Sequence, residues 1–490
     1  MLVASSFPEP EMRPVRFSLP LAAAIVLFTP LALDAQTTMP ASSATTDNGA
    51  PATALRQADA LREAALRDDT AWQILESLTT EVGPRVAGSE ADARAVAWMI
   101  ATFKTLGFDK VWTEPVTFPK WVRRGESAAV IGASAQRLHV TTLGGSAGGT
   151  VTGEIVRFAS LAELEAAPAG SLADKIAFLD YRMERMKDGS GYGPGSRGRS
   201  RGPSAAIRAG AIGYLMRSVG TDDHRNPHTG MTRYDEGLTP VPAAALSNPD
   251  ADQLTRLLKH GPVMVRLALD CGWDGEYTSQ NVIAEIRGSG KPDEVVAIGG
   301  HLDSWDLGTG AIDDGAGIAI TTAAALLIKR QPTRPQRTIR VIAYANEEQG
   351  LHGGRAYALA HKGDIARQQI MAESDFGAGR IYAITFSEGG RGSEAARQIE
   401  TALAPLGIAP ATDGGPGPDV IASAQNGVAW AELQQDGTDY FDLHHSPDDT
   451  LDKVDPEALR QNVAAYAVFA WLAANAKGGF GSAPKTPATP

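Results

Sequence analysis

Five short clusters of carboxylate and imidazole side chains stand out along the sequence: His301-Leu302-Asp303, Asp313-Asp314-Gly315, Asn346-Glu347-Glu348, Ser374-Asp375 and, much later, His444-His445-Ser446. A carboxylate taken out of water costs several kcal/mol unless it is paired or bound to a metal, so a gathering of them calls for a cation. Oxygen and imidazole donors without thiolate fit zinc, and by geometry alone also cobalt or manganese. The set is large enough for two ions sharing one carboxylate, and two ions about 3.5 to 4 Å apart can both activate a water and polarise a carbonyl. In His301-x-Asp303 the strand period sends both side chains to one face, where Asp303 can accept the second ring N–H of His301 and fix its orientation. Glu347 and Glu348 project differently, so one can bind metal while the other takes a proton from the activated water. Singly, each cluster is of a kind that occurs by chance; their ordered succession is what points to hydrolysis.

The elements that must carry these clusters alternate. Residues 295–300, 338–345 and 369–373 read as buried strands, and residues 315–329, 350–361 and 456–474 as helices, which gives an α/β fold with a sheet flanked by helices. In such sheets ligands bind outside the carboxyl ends of the strands, where most of the clusters fall. Upstream, helical periodicity covers residues 54–66, 70–78 and 90–106, with Gly107 as a C-terminal stop. Between them, from 121 to 275, short β-like runs at 151–158, 175–180, 211–216 and 263–269 alternate with Gly, Pro and Ser and read as an inserted domain. The catalytic part is thereby divided into residues 54–120 and 276–477. Residues 189–203, with Arg197, Arg199 and Arg201 among glycines and serines, read as a solvated, mobile loop.

The 490 residues are enough for two large domains or about three of ordinary size. With 43% hydrophobic and 21% charged residues, disorder over the whole chain is excluded. The balance of 45 Lys+Arg against 57 Asp+Glu, formally −12, repels phosphate backbones and anionic lipid, so neither nucleic acid nor a membrane surface is expected as a partner. Cys271 is the single cysteine, so it has no intrachain disulfide, and it reads as a small buried hydrophobe. Residues 1–35 read as a secretory signal peptide: Arg13 and Arg16 precede an apolar run at 21–33 that is broken by Thr29-Pro30, and Ala35 follows. Translation starts at Met1 or Met12, and export to a periplasm or the exterior is expected, with no membrane attachment once the signal is removed. Residues 36–53 and 478–490 read as a disordered linker and tail.

The strings Gly299-Gly300-His301-Leu302-Asp303-Ser304-Trp305-Asp306, Asp313-Asp314-Gly315, Asn346-Glu347-Glu348-Gln349-Gly350, Glu373-Ser374-Asp375 and His444-His445-Ser446 through Asp449-Thr450 resemble the co-catalytic zinc peptidases of the aminopeptidase and glutamate carboxypeptidase group. Within that group the twelve-residue step from His301 to Asp313, Trp305, the doubled histidine, and Ser218 with Pro227-His228-Thr229-Gly230 are similar to the plasma glutamate carboxypeptidase branch. The likeness extends over roughly residues 54–477. It implies two Zn2+ per chain, one held by His301, Asp313 and Asp375, the other by Asp313, Glu348 and His445, with Asp313 bridging. It further implies Glu347 as general base, Asp303 as the group orienting His301, and His444 as a group steadying the tetrahedral intermediate. His445 is taken as the ligand because the family's histidine directly precedes Ser or Thr. The fold implied is a mixed β-sheet flanked by helices, with a protease-associated domain inserted at 121–275 and a cis peptide between Asp313 and Asp314. A short peptide substrate and a homodimer also follow from the likeness. Residues 197–201 and 414–418 match no family motif, which leaves specificity open between a dipeptidase or carboxypeptidase and an aminopeptidase on longer chains. A metal-free receptor-like protein and a one-zinc cyclase are the other readings of the same fold. His228 is expected near the cleft or a subunit contact, Asp439 and Tyr440 in a pocket wall, and the remaining histidines at the surface or in packing.

Overall fold

The computed structural model describes residues 48–483. The expected signal peptide at 1–35, linker residues 36–47 and tail residues 484–490 lie outside the described residues. In chain order the helices α1 (Ala52–Ala65), α2 (Thr70–Ser77) and α3 (Glu90–Thr105) precede the strands β1 (Lys110–Ile131), β2 (Gln136–Leu138), β3 (Val140–Thr142) and β4 (Gly149–Phe158). Then follow α4 (Leu161–Glu165), β5 (Lys175–Leu179), α5 (Tyr192–Arg208), β6 (Gly213–Arg217), β7 (Ala243–Leu246), α6 (Asn248–Leu258) and β8 (Met264–Ile286). The last part contains β9 (Lys291–His301), α7 (Ala316–Lys329), β10 (Arg337–Tyr344), α8 (His352–Ala360), β11 (Gln368–Glu373), β12 (Ile381–Phe386) and α9 (Glu394–Leu403). It closes with β13 (Ala409–Pro410), α10 (Ile421–Gln425), β14 (Ala431–Gln435), α11 (Tyr440–Leu443) and α12 (Pro456–Asn475).

An eleven-stranded mixed sheet runs in the order β11-β9-β10-β8-β4-β5-β6-β7-β3, with β1 paired to β8 and β2; β13-β12-β14 form a second, small sheet. Strands β9, β10 and β11 are parallel, with Tyr344 opposite His301 and Glu373 opposite Gly299, so their carboxyl ends lie side by side. Such strands are covered on both faces and are hydrophobic throughout. The helices that cover them are correspondingly apolar all round: α7 is buried from Ala316 to Ile328, and α12 from Ala464 to Asn475. Helix α12 packs on α1, α7 and α9, and the Trp471 indole N–H donates to the Ala54 carbonyl at 3.0 Å. Gly300 lies so close to the start of α7 that a Cβ there would collide with the Asp314 carboxylate and come within 3.0 Å of the Gly317 backbone.

Strands β1 and β8, of 22 and 23 residues, pair along almost their whole length and carry the sheet from the catalytic half into the middle segment. The expected boundaries at 120/121 and 275/276 fall inside these two strands. Between them, β4 to β7 enclose a separate apolar cluster that includes Trp121, Ile155, Phe178, Leu215 and Leu267. Cys271 is buried there, its thiol pushed up to about 11 by burial, as an inert small residue would be.

Three sequence expectations are corrected. The mobile loop at 189–203 is largely helix α5, because its glycines form a packing face: Gly195, Gly198 and Gly202 recur at helical spacing and lie flush against Val219, Leu179 and Tyr214. A Cβ at Gly198 would approach Leu179 to 2.6 Å, and Arg199 on this helix is buried. The linker ends earlier than expected, since the Ala50 N–H donates to Gln398 at 2.7 Å and the Asn48 and Gly49 carbonyls accept from residues 478 and 477. Residues 478–483 of the expected tail pack on the fold: Phe480 is buried and stacks on Phe386 at 6.1 Å, and Arg337 donates to the Gly478 carbonyl at 2.9 Å.

Candidate active site and metal centre

The adjacent ends of β9, β10 and β11 deliver His301, the Glu347-Glu348 turn and Asp375 to one place, and the turn before α7 brings Asp313 in from above. Asp314 locks this arrangement, accepting from the His301 N–H and from the Gly317 N–H, both at 3.0 Å. The Asp313–Asp314 peptide is cis, as the family likeness implies.

His301 Nε2 lies 3.0 Å from Asp313 Oδ1 and 3.4 Å from Asp375 Oδ1. The other oxygen of Asp313 faces a different partner, His445 Nε2, at 3.2 Å, and that nitrogen is also 2.8 Å from Glu348 Oε2. Asp313 thus stands between two groups of donors. Two sets of ligand atoms lie within 4.8 Å of one another: His301, Asp313 and Asp375, and Asp313, His444 and His445. His444 therefore enters the cluster more closely than its expected role requires, with Nε2 3.6 Å from Asp313 Oδ2 and its ring stacked on His445 at 3.5 Å.

Asp303 meets His301 through a different atom from the one expected. His301 Nδ1 faces the Asp303 main-chain carbonyl at 3.0 Å and its carboxylate only at 3.7 Å. The carboxylate instead accepts from the Glu347 N–H at 3.0 Å and so fixes the turn that carries the base candidate.

Most of these groups are buried, Glu347 and Asp375 only partly, and they are rich in negative charge. Burial, with Asp375 and Glu348 adding to it against His301, pushes the Glu347 carboxyl well above the usual range. Glu348 is pushed up to about 7, by burial and then by Asp313 against the opposing His445. Burial also raises Asp313, but His301 and His445 outweigh it and hold that carboxyl well below the usual value. Glu348 Oε1, Asp303 Oδ2 and His444 Nδ1 are buried with no hydrogen-bond partner among the described residues. Oxygen and imidazole donors with an excess of carboxylate and orphaned polar atoms fit divalent zinc.

The walls are aromatic. The Trp305 ring lies 5.9 Å from that of His445, and Tyr192 and Tyr440 lie 5.2 and 5.0 Å from that of His444. Asp439, expected with Tyr440 in a pocket wall, pairs with Arg185 at 2.7 Å, and Asp439 and Tyr440 line a cavity shared with Ile312 and Arg380. A cavity of about 370 Å3 adjoins Asp375 and is walled by Phe376, Tyr382, Glu432 and the run from Gly414 to Pro418, which gives that unmatched run a place beside the site. His139, His224 and His361 pair with Asp250, Asp448 and Glu114, in keeping with surface and packing roles.

Arg85 was not singled out in the sequence. Its side chain is fully buried and donates to the carbonyls of Leu302, Thr309 and Gly310 at 2.6, 2.7 and 2.8 Å, holding the loop between His301 and Asp313. Asp449 supports the same loop, accepting from the Ile312 N–H at 2.6 Å. A charged residue wedged between Pro84 and Val86 was the only available signal. Replacing Arg85 by alanine takes the donor from the Leu302 and Thr309 carbonyls, Gly310 keeping that of the Gly315 N–H, and is expected to destabilise the protein by about 3 kcal/mol in urea denaturation. A loss below about 1 kcal/mol would contradict this role.

The model of peptidase family M28 matches residues 281–470. Carboxypeptidase Q of Mus musculus is 32% identical over 408 residues, covering 82% of this chain and 85% of that protein. The crystal structure of a peptidase M28 precursor from Shewanella amazonensis SB2B is 51% identical, with a TM-score of 0.85 over 89% of this chain and 99% of the other. A zinc aminopeptidase from Bacillus subtilis, 20% identical with a TM-score of 0.60 over 82% and 94% of the two chains, shares the fold. On these likenesses and this site, the chain belongs to peptidase family M28 and is a metallopeptidase.

Proposed function

We propose that the protein is an exported exopeptidase with two zinc ions, hydrolysing dipeptides or short peptides. The observation that carries this reading is the position of Asp313, one oxygen 3.0 Å from His301 and the other 3.2 Å from His445. His301, Asp313 and Asp375 would hold one zinc, and Asp313, Glu348 and His445 the other. Bound zinc supplies a Lewis acid that polarises the scissile carbonyl and makes water acidic near neutral pH.

The chain's own residues do the rest. Glu347, on a turn pinned by Asp303, takes the proton of the attacking water and passes it to the leaving amine. Asp303 also keeps the His301 ring in register through its carbonyl. His444, in its aromatic surroundings, steadies the tetrahedral intermediate. The cavity beside Asp375, whose walls set Phe376 and Tyr382 among the acidic Asp413 and Glu432, receives one residue of the substrate. The middle segment takes the part of a protease-associated insert, residues 1–35 direct export, and a homodimer follows the family likeness.

The test is a panel of dipeptides with free and blocked ends, assayed before and after chelation and zinc replenishment. Free dipeptides should be hydrolysed, activity should vanish with the chelator and return with zinc, and blocking either terminus should abolish cleavage. Equal cleavage of substrates blocked at the carboxyl end would instead favour an aminopeptidase. Hydrolysis that persists after complete chelation would contradict the zinc reading.

A further inference from the structure

His445 holds a main-chain φ of 58°, in the left-handed region that a side chain with a Cβ occupies only when its surroundings enforce it. The enforcing contacts come from the middle segment, more than two hundred residues earlier. His228 Nδ1 faces the His444 carbonyl at 2.6 Å. The Thr229 N–H donates to the His445 carbonyl at 2.9 Å, and His445 Nδ1 faces the Thr229 carbonyl at 3.2 Å. Three polar atoms of the histidine pair are thus tied to two consecutive residues of a different part of the chain.

His228 is itself fixed from every side. Its Nε2 lies 2.8 Å from Asp222 Oδ1, its N–H donates to Ser218 Oγ at 2.8 Å, and its side chain is 1% exposed. Asn248 secures the loop by donating to the Gly220 and Asp222 carbonyls, both at 3.1 Å. Residue 220 must be glycine, since a Cβ there would come within 2.5 Å of the His228 ring. On the other flank the buried Arg199 of α5 donates to the Thr229 carbonyl at 3.2 Å. The Thr229 carbonyl, facing His445 Nδ1, favours the tautomer that leaves Nε2 free towards Asp313 and Glu348.

We propose that His228 is a positioning residue for the metal centre: with Thr229, and braced by Asp222, it holds the His444-His445 loop so that Nε2 of His445 meets a bound cation. This rests on the zinc reading above and adds that the middle segment sets the affinity of one of the two positions. Support around a metal ligand is commonly worth about 10- to 100-fold in affinity.

The experiment compares wild type, His228→Asn, His228→Gln and Asp222→Asn by zinc competition against a chromophoric chelator, by the visible spectrum of the cobalt-loaded protein, and by melting of the metal-free protein. Asparagine places an amide nitrogen where Nδ1 stands and can still donate to the His444 carbonyl; glutamine places it where Nε2 stands. His228→Gln should weaken the zinc position that uses His445 about 10- to 100-fold and alter the cobalt spectrum, with metal-free melting close to wild type. His228→Asn should recover most of the affinity. Asp222→Asn, which keeps the shape of the brace, should give a smaller loss. Unchanged zinc affinity in His228→Gln overturns the proposal, as does a loss matched by an equal fall in metal-free stability, or an asparagine variant no better than glutamine. If wild type itself binds no zinc in the competition, the zinc reading fails first; if wild type binds two and His228→Gln does too with equal strength, only the positioning role fails.

Discussion

Changing Glu347 to glutamine is expected to leave the zinc content unaltered while lowering kcat by about 10²- to 10⁴-fold, the usual worth of a positioned general base. The substitution keeps the shape of the side chain and removes only its capacity to hold a proton. Neither group of candidate ligands includes Glu347. Its backbone is anchored by Asp303 at 3.0 Å, so the turn and the neighbouring Glu348 should stay in place. Burial pushes the Glu347 carboxyl well above the usual range, with Asp375 and Glu348 adding to it against His301, and a cation entering beside Glu348 acts in the opposite sense by favouring the carboxylate. Metal analysis of the purified variant beside its steady-state kinetics checks both halves. Turnover near that of wild type would remove Glu347 from the chemistry, and loss of zinc would make it a ligand.

Asp313→Ala has the larger effect on metal. Its two oxygens face His301 on one side and His445 on the other, so one truncation removes a donor from each position. It also removes the carboxylate that, despite burial, His301 and His445 hold well below its ordinary range, leaving those imidazoles without their shared partner. Zinc content should fall from two per chain to near zero, and peptidase activity should fall with it to background. Asp375→Ala is the control, touching only the His301 side and expected to spare the zinc at His445. Retention of two zincs by Asp313→Ala would contradict bridging.

The alternation of strand and helix from β9 to α12 was legible because buried parallel strands and the helices over them are hydrophobic without interruption. The convergence of His301, Glu348 and Asp375 was legible for a related reason: parallel strands in register put their carboxyl ends side by side, and a cluster just beyond each end has few other places to go. Other features left weaker traces. Helix α5 was hidden because its inner face is made of glycines, which in a sequence read as flexibility and here serve close packing against Leu179 and Tyr214. Arg85 acts on main-chain atoms of distant residues and Thr229 acts through its own main chain, and such contacts impose no side-chain pattern at one end. The strand period points to the Asp303 carboxylate as the partner of the His301 ring, yet the carbonyl meets the ring while the carboxylate accepts from the Glu347 N–H. The order within His444-His445 turns on a left-handed backbone at His445, a conformation that a histidine does not announce.

The central claim is that two zinc ions flank Asp313. Anomalous diffraction from crystals of the zinc-loaded protein, collected on both sides of the zinc edge, tests it most directly. Two peaks are predicted, one among His301, Asp313 and Asp375 and the other among Asp313, Glu348 and His445, with His444 outside both. A single peak, or a second peak ligated by His444 in place of Glu348, would contradict the account.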